Sequence, residues 1–447
     1  MSRVFQRFMK SPYPKAVSGE GPYIIADDGK RYIDAASGAG VSSMGYNDRE
    51  ITRAIADQVQ SLAYVYNAYF TTEPAERLAD ALVEMTPKGL DRVFFGSGGS
   101  ESMDGALKMA MQYFIDKGEP QRRRFIARRQ SYHGCTVGAL SVSGNLVRRS
   151  LFEHFLPETF QVSPCYEYRE RQTNETAESY GLRLAQELED TIVRLGPETV
   201  AAFVAEPVVG ATAGAVPPVE NYLREIRRVC DKYDVLLILD EILTGSGRTG
   251  TFLSCEQDGI TPDLVTLAKG LGAGYQPISA ILVSGKVFDT IADNRGYFIH
   301  GHTYNAHATA CAAGLAVVTA IRERKLLPQV TAAGAKLRAA LEERFGNHPH
   351  VGDIRGRGLL LGLELVQDRA SKAPFAADKL LWVSVTRAAL ERGLICYPGG
   401  GTADGQIGDH ILLAPPFIIT DSHIEEIVDK LADSLDDALR RDPPSLT

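Results

Sequence analysis

No stretch of the 447-residue sequence is long and apolar enough to propose a membrane span. Cysteines are few and dispersed: six, at positions 135, 165, 230, 255, 311 and 396, with no C-x-x-C spacing. That pattern argues against a disulfide scaffold and for a reducing compartment. A basic excess is also missing. Forty-eight Lys and Arg stand against 56 Asp and Glu, a net charge of −8, so no electrostatic footprint for nucleic acid is expected. The one basic run, Arg122–Arg124 with Arg128 and Arg129, reads as a solvated face. Residues 1–10 carry no continuous apolar segment and no small-residue cleavage site, and a cytoplasmic location is expected. Internal repeats and low-complexity segments are absent as well.

The composition, 44% hydrophobic and 23% charged, is that of a soluble globular chain, and the length suits a large domain with a smaller companion. Tyr23–Asp34 reads as a hairpin turning at Asp28-Gly29. A helix is predicted from Glu73 to Thr86, with Pro74 in its first turn and Pro87 as its stop. Short apolar runs then alternate with helical stretches. The runs are Arg92–Phe95, Phe125–Ala127, Val200–Ala205, Val235–Leu239 and Leu264–Ala268; helices are predicted from Ser102 and over 219–232. Such alternation predicts an α/β fold, a mostly parallel sheet with helices on both faces, and Ser279–Ser284 adds a further strand. After a helix over 306–324, the last third changes character. Helices at 326–346 and 376–392, a hairpin-like 358–366, a strand at 410–414 and a final helix predict a compact α+β unit. The expected division is an N-terminal segment (1–60) packing with the small domain, a large domain (61–325) and a small C-terminal domain (326–447).

Three of the apolar strands end in an ionisable residue: Glu206, Asp240 and Lys269. Ligands of open α/β sheets sit beyond the carboxyl ends of strands, so the recurrence points to a site there. A lysine closing a buried strand loses hydration, which depresses its pKa and frees its amine for Schiff-base chemistry. A lysine for an aldehyde plus an aspartate for a pyridinium nitrogen is the pair that pyridoxal phosphate requires. Phe94-Phe-Gly-Ser-Gly-Gly-Ser-Glu-Ser-Met103 supplies glycines ahead of an amphipathic helix, a phosphate cradle in which Ser100 adds a hydroxyl; an ordinary serine-capped turn is the bland alternative. Tyr132, in Ser131-Tyr-His-Gly134, is placed to stack on an aromatic ring, while His133 is expected to be a hydrogen-bonded structural histidine. His300–His307 reads as a polar loop whose Thr303 can reach a phosphate oxygen, and no metal site is expected. Gly245-Ser-Gly-Arg-Thr-Gly250 matches the dinucleotide pattern G-x-G-x-x-G but lacks the strand-to-helix context.

Together these motifs resemble the class III aminotransferases, in the branch of amine and ω-amino acid:pyruvate transaminases of pyridoxal phosphate fold type I. The most specific stretch is Leu239–Gly250 followed by Lys269-Gly270, similar to the family's Asp-Glu, Arg-Thr-Gly and lysine signature. The resemblance implies a two-domain fold and ping-pong transamination. Lys269 would carry the cofactor as a Schiff base and Asp240 would pair with the ring nitrogen. Ile242 and Tyr132 would cover the two ring faces, and Glu206 would stand near the cofactor hydroxyl. Gly99 and Ser100 would bind the phosphate, with Thr303 reaching it from the second subunit of a homodimer or a larger assembly.

The departures bear on substrate. Cys135 stands where relatives acting on ornithine or γ-aminobutyrate carry arginine, and Leu412 occupies another familiar arginine position. The position of a third, flexible arginine of some relatives falls near Gly405, so that arginine is missing too, and Ser97 replaces a common asparagine. Pocket walls are expected from Gly40, Val41, Tyr64, Tyr66 and Cys135, favouring an amine or ω-amino acid donor. Decarboxylation, amino-group migration and phospho-elimination use much the same cofactor residues and stand as the alternative chemistry. A nucleotide-binding oxidoreductase, resting on Gly245–Gly250 alone, is the remote one.

Overall fold

The computed structural model describes residues 3–9 and 13–443. Its strands are β1 (Ala16–Glu20), β2 (Tyr23–Ala26), β3 (Arg31–Asp34), β4 (Leu90–Gly96), β5 (Arg124–Arg128), β6 (Phe160–Val162), β7 (Val200–Ala205), β8 (Leu236–Asp240), β9 (Leu264–Leu267), β10 (Ser279–Ser284), β11 (Val351–Arg357), β12 (Leu360–Leu365), β13 (Leu394–Ile395), β14 (Tyr397–Gly400) and β15 (Asp409–Leu413). They form three sheets.

The central sheet has the order β4-β10-β9-β8-β7-β5-β6. Strands β9, β8, β7, β5 and β6 pair in parallel. Strand β10 is antiparallel to both its neighbours, so β4 runs with the parallel set. The continuous apolar runs follow from burial on both faces. Along β7 and β8, Ala202, Val204, Leu236 and Ile238 face a core built with Met103, Ala106 and Phe114 of the helix Gly99–Asp116. Their alternates Phe203, Ala205, Leu237 and Leu239 face Leu184, Leu188, Leu223 and Ile226 on the opposite side.

The second sheet, β1-β2-β3-β13, joins the two ends of the chain. Leu394 pairs in parallel with Ile33, and Ile33, Met44 and Ile51 share a core with Leu337, Leu363, Leu431 and Leu435. The third sheet, β11-β12-β15-β14, is antiparallel, and the helices Leu326–Phe345, Leu381–Glu391 and Asp421–Arg440 pack into the same core. The helix Ala308–Glu323 straddles this core and that of the central sheet; the expected boundary near 325 falls at its end, where Lys325 takes a φ of 49°.

Local departures have local causes. The 358–366 segment is the second arm of a hairpin, β12, whose partner β11 lacks an unbroken apolar run because most of its residues are only half-buried. The helix expected at 376 starts at Leu381, after Leu380 turns to a φ of 46°. Two arginines of the basic run are not solvated. Arg122 donates to the carbonyls of Pro197 (2.9 Å) and Val200 (3.1 Å), and Arg128 is buried against the carbonyl of Glu206.

Candidate active site

Because β9, β8 and β7 are neighbours, their ends bring Lys269, Asp240 and Glu206 to one edge of the sheet. The three line a single cavity of about 540 Å³. Helix Gly99–Asp116, entered from β4, opens on the same cavity with Ser97, Gly98, Gly99 and Ser100.

Asp240 is 4% exposed. Its Oδ1 accepts the amide of Ile242 at 3.0 Å, and its Oδ2 lies 2.8 Å from Nδ1 of His133. The backbone amide of His133 donates to Ser143 Oγ at 2.8 Å, so the histidine is braced as it holds the carboxylate. Its Nε2 is buried without a protein partner. Glu206 accepts the amides of Tyr132 (3.1 Å) and Gly210 (2.9 Å). Burial raises the pKa of its carboxyl; His133 pulls the other way and Asp240 adds to the rise. Lys269 begins a short turn with a φ of 41°, a left-handed conformation costing on the order of 1 kcal/mol or more in a non-glycine residue. Burial lowers the pKa of its ammonium, while Asp240 and then Glu206 partly hold it up.

Pyridoxal phosphate finds matching groups here. The helix N-cap is Gly98, with no side chain over the amides, and a Cβ added there meets nothing within 4 Å. The first intrahelical bond is donated by Ser102, which leaves the Gly99, Ser100 and Glu101 amides for an anion at the positive end of the helix dipole. A Cβ on Gly99 would lie 2.8 Å from Cδ1 of Ile242, so the helix start leans directly on that side chain. Ser100 Oγ accepts the amide of Cys135 at 3.0 Å. Ile242 and Tyr132 both border the cavity, as do an acid for a ring nitrogen and a lysine for an aldehyde.

The remaining sequence candidates are placed differently. Val41 and Leu412 line the cavity. Gly40 sits behind the wall at a φ of 75°, where a Cβ would meet Leu243 Cδ1 at 2.2 Å. Cys135 is exposed beside Ser100, its sulfur 3.6 Å from the hydroxyl, outside the lining. Tyr64, Tyr66 and Thr303 do not reach the cavity of their own chain. The segment after the helix Arg49–Ser61 runs instead to the 300–307 loop, where the Tyr64 hydroxyl donates to the Thr303 carbonyl at 2.8 Å and Tyr66 is 47% exposed. Two histidines of that loop meet edge to face, the rings of His300 and His302 having centroids 4.8 Å apart. The Gly245–Gly250 turn is structural: buried Arg248 donates to the carbonyl of Leu359 and lies 4.8 Å from the Phe417 ring. Arg355 and Arg357 face away, bound to Glu364 and Asp258. Among the cavity residues that escaped sequence reasoning are two cations, Arg148 and Arg7. Neither lies at a strand end or in a glycine turn, so no local signal marks them.

The comparisons agree with this geometry. Residues 9–435 match the family model described as aminotransferase class-III. An uncharacterized aminotransferase of Schizosaccharomyces pombe is 44% identical over 94% of this chain and 92% of its own length. One of Bacillus subtilis is 38% identical over 94% of each. The crystal structure of the omega transaminase from Pseudomonas jessenii in complex with PMP superposes with a TM-score of 0.92 at 35% identity, over 98% of this chain and 96% of that one. A match over nearly the whole length, on a fold that gathers the lysine, the acid and the anion cradle at one sheet edge, means that the chain belongs to the class III aminotransferases, enzymes that use pyridoxal phosphate to transfer amino groups.

Proposed function

We propose that the enzyme moves an amino group from an amine or ω-amino acid to pyruvate in two half-reactions that share one cavity. The observation that carries this reading is the convergence of Lys269, Asp240 and Glu206 on a cavity lined also by apolar Leu412, where a cation would favour dicarboxylic partners.

When bound, pyridoxal phosphate supplies an aldehyde for the amino group and a ring that accepts electrons from the bond broken. The amides of Gly99 and Ser100 would hold its phosphate, and Ile242 and Tyr132 its two faces. Asp240 would hold the proton on the ring nitrogen, with His133 fixing the carboxylate in place. Glu206, fastened by two backbone amides, would stand beside the ring hydroxyl. Lys269 would hold the cofactor covalently through its amine. Released by an incoming amine, its nitrogen would take the proton from the substrate carbon, a role that burial favours by lowering its pKa.

Thr303, Tyr64 and Tyr66 enter this scheme from a second copy of the chain. They lie outside their own cavity on a surface that also exposes Tyr69, Phe70 and Tyr304, an aromatic concentration that fits a homodimer. The dispersed thiols fit a cytoplasmic setting.

Absorbance tests the donor and acceptor. The yellow holoenzyme is expected to bleach with 1-phenylethylamine or β-alanine and to recover its colour with pyruvate. Recovery with 2-oxoglutarate but not pyruvate would overturn the acceptor, and indifference to both amines would overturn the donor class.

A further inference from the structure

Arg148 and Arg149 are adjacent on the short helix Leu146–Arg149, yet they are used differently. Arg149 is buried, and its guanidinium donates to the carbonyls of Leu140 (3.2 Å) and Ser143 (2.9 Å) and meets Glu153 at 3.2 Å. Arg148 lies over the ring of Tyr132, 4.6 Å from its centroid, and lines the cavity that holds Lys269. Among the described residues its guanidinium meets no carboxylate and donates to no carbonyl; only its backbone amide is used, to Asn145 Oδ1 at 3.1 Å.

Four other arginines, none of which lines the cavity, are committed to the protein. Arg128 serves the Glu206 carbonyl, Arg248 the Leu359 carbonyl, Arg355 binds Glu364 and Arg357 binds Asp258. Arg148 therefore brings an uncompensated cation to a cavity whose neighbouring wall includes apolar Leu412 and Val208. A guanidinium stacked on an aromatic ring has its plane fixed while its N–H fork stays free, which suits bidentate capture of a carboxylate. Position adds to the argument: a Cβ on Gly405, in the loop between β14 and β15, would lie 3.5 Å from Leu146, so that loop closes down beside the arginine's helix.

We propose that Arg148 binds the carboxylate of the keto acid and so makes keto acids better amino acceptors than neutral aldehydes. The proposal rests on the aminotransferase reading above and assigns its missing carboxylate site. Its test is the ratio of kcat/KM for pyruvate to that for propanal, measured in the native holoenzyme and in R148M, R148K and R7Q. R148M is expected to lower the ratio about 100-fold through KM for pyruvate, and R148K, which keeps the charge but loses the fork, to lower it less. In parallel, the rise in thermal midpoint that propionate gives the native protein is expected to vanish in R148M. A role confined to folding would depress both acceptors alike. A ratio in R148M within twofold of native, or a fall in R7Q but not in R148M, would overturn the proposal. A native enzyme recharged by propanal but by neither pyruvate nor 2-oxoglutarate would sink the acceptor reading along with it.

Discussion

Replacing Asp240 by asparagine is nearly isosteric, and the structure says why it should still be severe. One carboxylate oxygen accepts from the Ile242 amide at 3.0 Å and the other faces His133 Nδ1 at 2.8 Å. Asparagine has a single acceptor oxygen. If that oxygen keeps the Ile242 amide, the new NH₂ points at His133, which must then present a bare Nδ1 and move its proton to Nε2, a buried position without a protein partner. The lost charge-assisted bond is worth about 1.5–3 kcal/mol. The catalytic loss is larger, because a fixed negative charge no longer holds the proton on the ring nitrogen; removing one such preorganised group typically costs about 2.7–4 kcal/mol, or roughly 10²–10³ in rate. The assay is a single-turnover stopped-flow measurement of bleaching by 1-phenylethylamine, with bound cofactor quantified separately so that lost affinity is not mistaken for lost chemistry. A pH effect should accompany it. Asp240 helps to hold the proton on Lys269, so its neutralisation lowers that pKa further, and the acid limb of the pH–rate profile should move to lower pH. A D240N rate within threefold of native at full cofactor occupancy would refute the reasoning.

Lys269→Ala removes the group that moves the proton, and the half-reaction rate is expected to fall at least about 10⁴-fold, with loss of the borohydride-trapped cofactor adduct in the mass spectrum; surviving turnover would be incompatible with the site. Arg355→Met addresses stability rather than chemistry. Glu364 is fully buried between Arg355 and Arg169, so removing one partner should destabilise the chain by about 3–5 kcal/mol, read as a lower urea midpoint. Burial alone would raise the Glu364 pKa, but Arg355 and then Arg169 pull it below the ordinary range. Its contribution is therefore fully present above pH ~4.3 and lost as pH falls through the lower folded value. R355M should flatten that acid-side decline, and an unchanged acid slope would show that the pair does not act as described.

What the sequence disclosed, it disclosed where physics is local. Val200–Ala205 is buried on both faces and so is apolar throughout; it was placed residue for residue. The three charged strand ends were visible, but their adjacency was not, since pairing order is decided by contacts far apart along the chain. Strand β10 was expected, yet nothing in Ser279–Ser284 announces that it runs against its neighbours. Strands β1 and β14 were missed: one is largely exposed, and the other is a Tyr-Pro-Gly-Gly edge without alternation. Tyr64 and Tyr66 lie outside the cavity of their own chain, because residue type cannot show which way a segment turns. Arg148 was overlooked because an Arg-Arg pair on a short helix has the pattern of a surface, and only the fold shows one member spent and its neighbour free.

The contact between Gly99 and Ile242 joins the open amides at the start of the helix Gly99–Asp116 to the residue beside Asp240. The anion cradle leans on a residue whose own amide fastens Asp240, so the two cannot drift apart independently: a bulkier side chain at either place would push on both. The frame that receives the cofactor thus behaves as a rigid gauge of fixed span. Arg148 and the loop around Gly405 lie on separate connections outside that frame. Change can accumulate there without disturbing the gauge, which allows an enzyme of this build to exchange substrates while its chemistry stays constant.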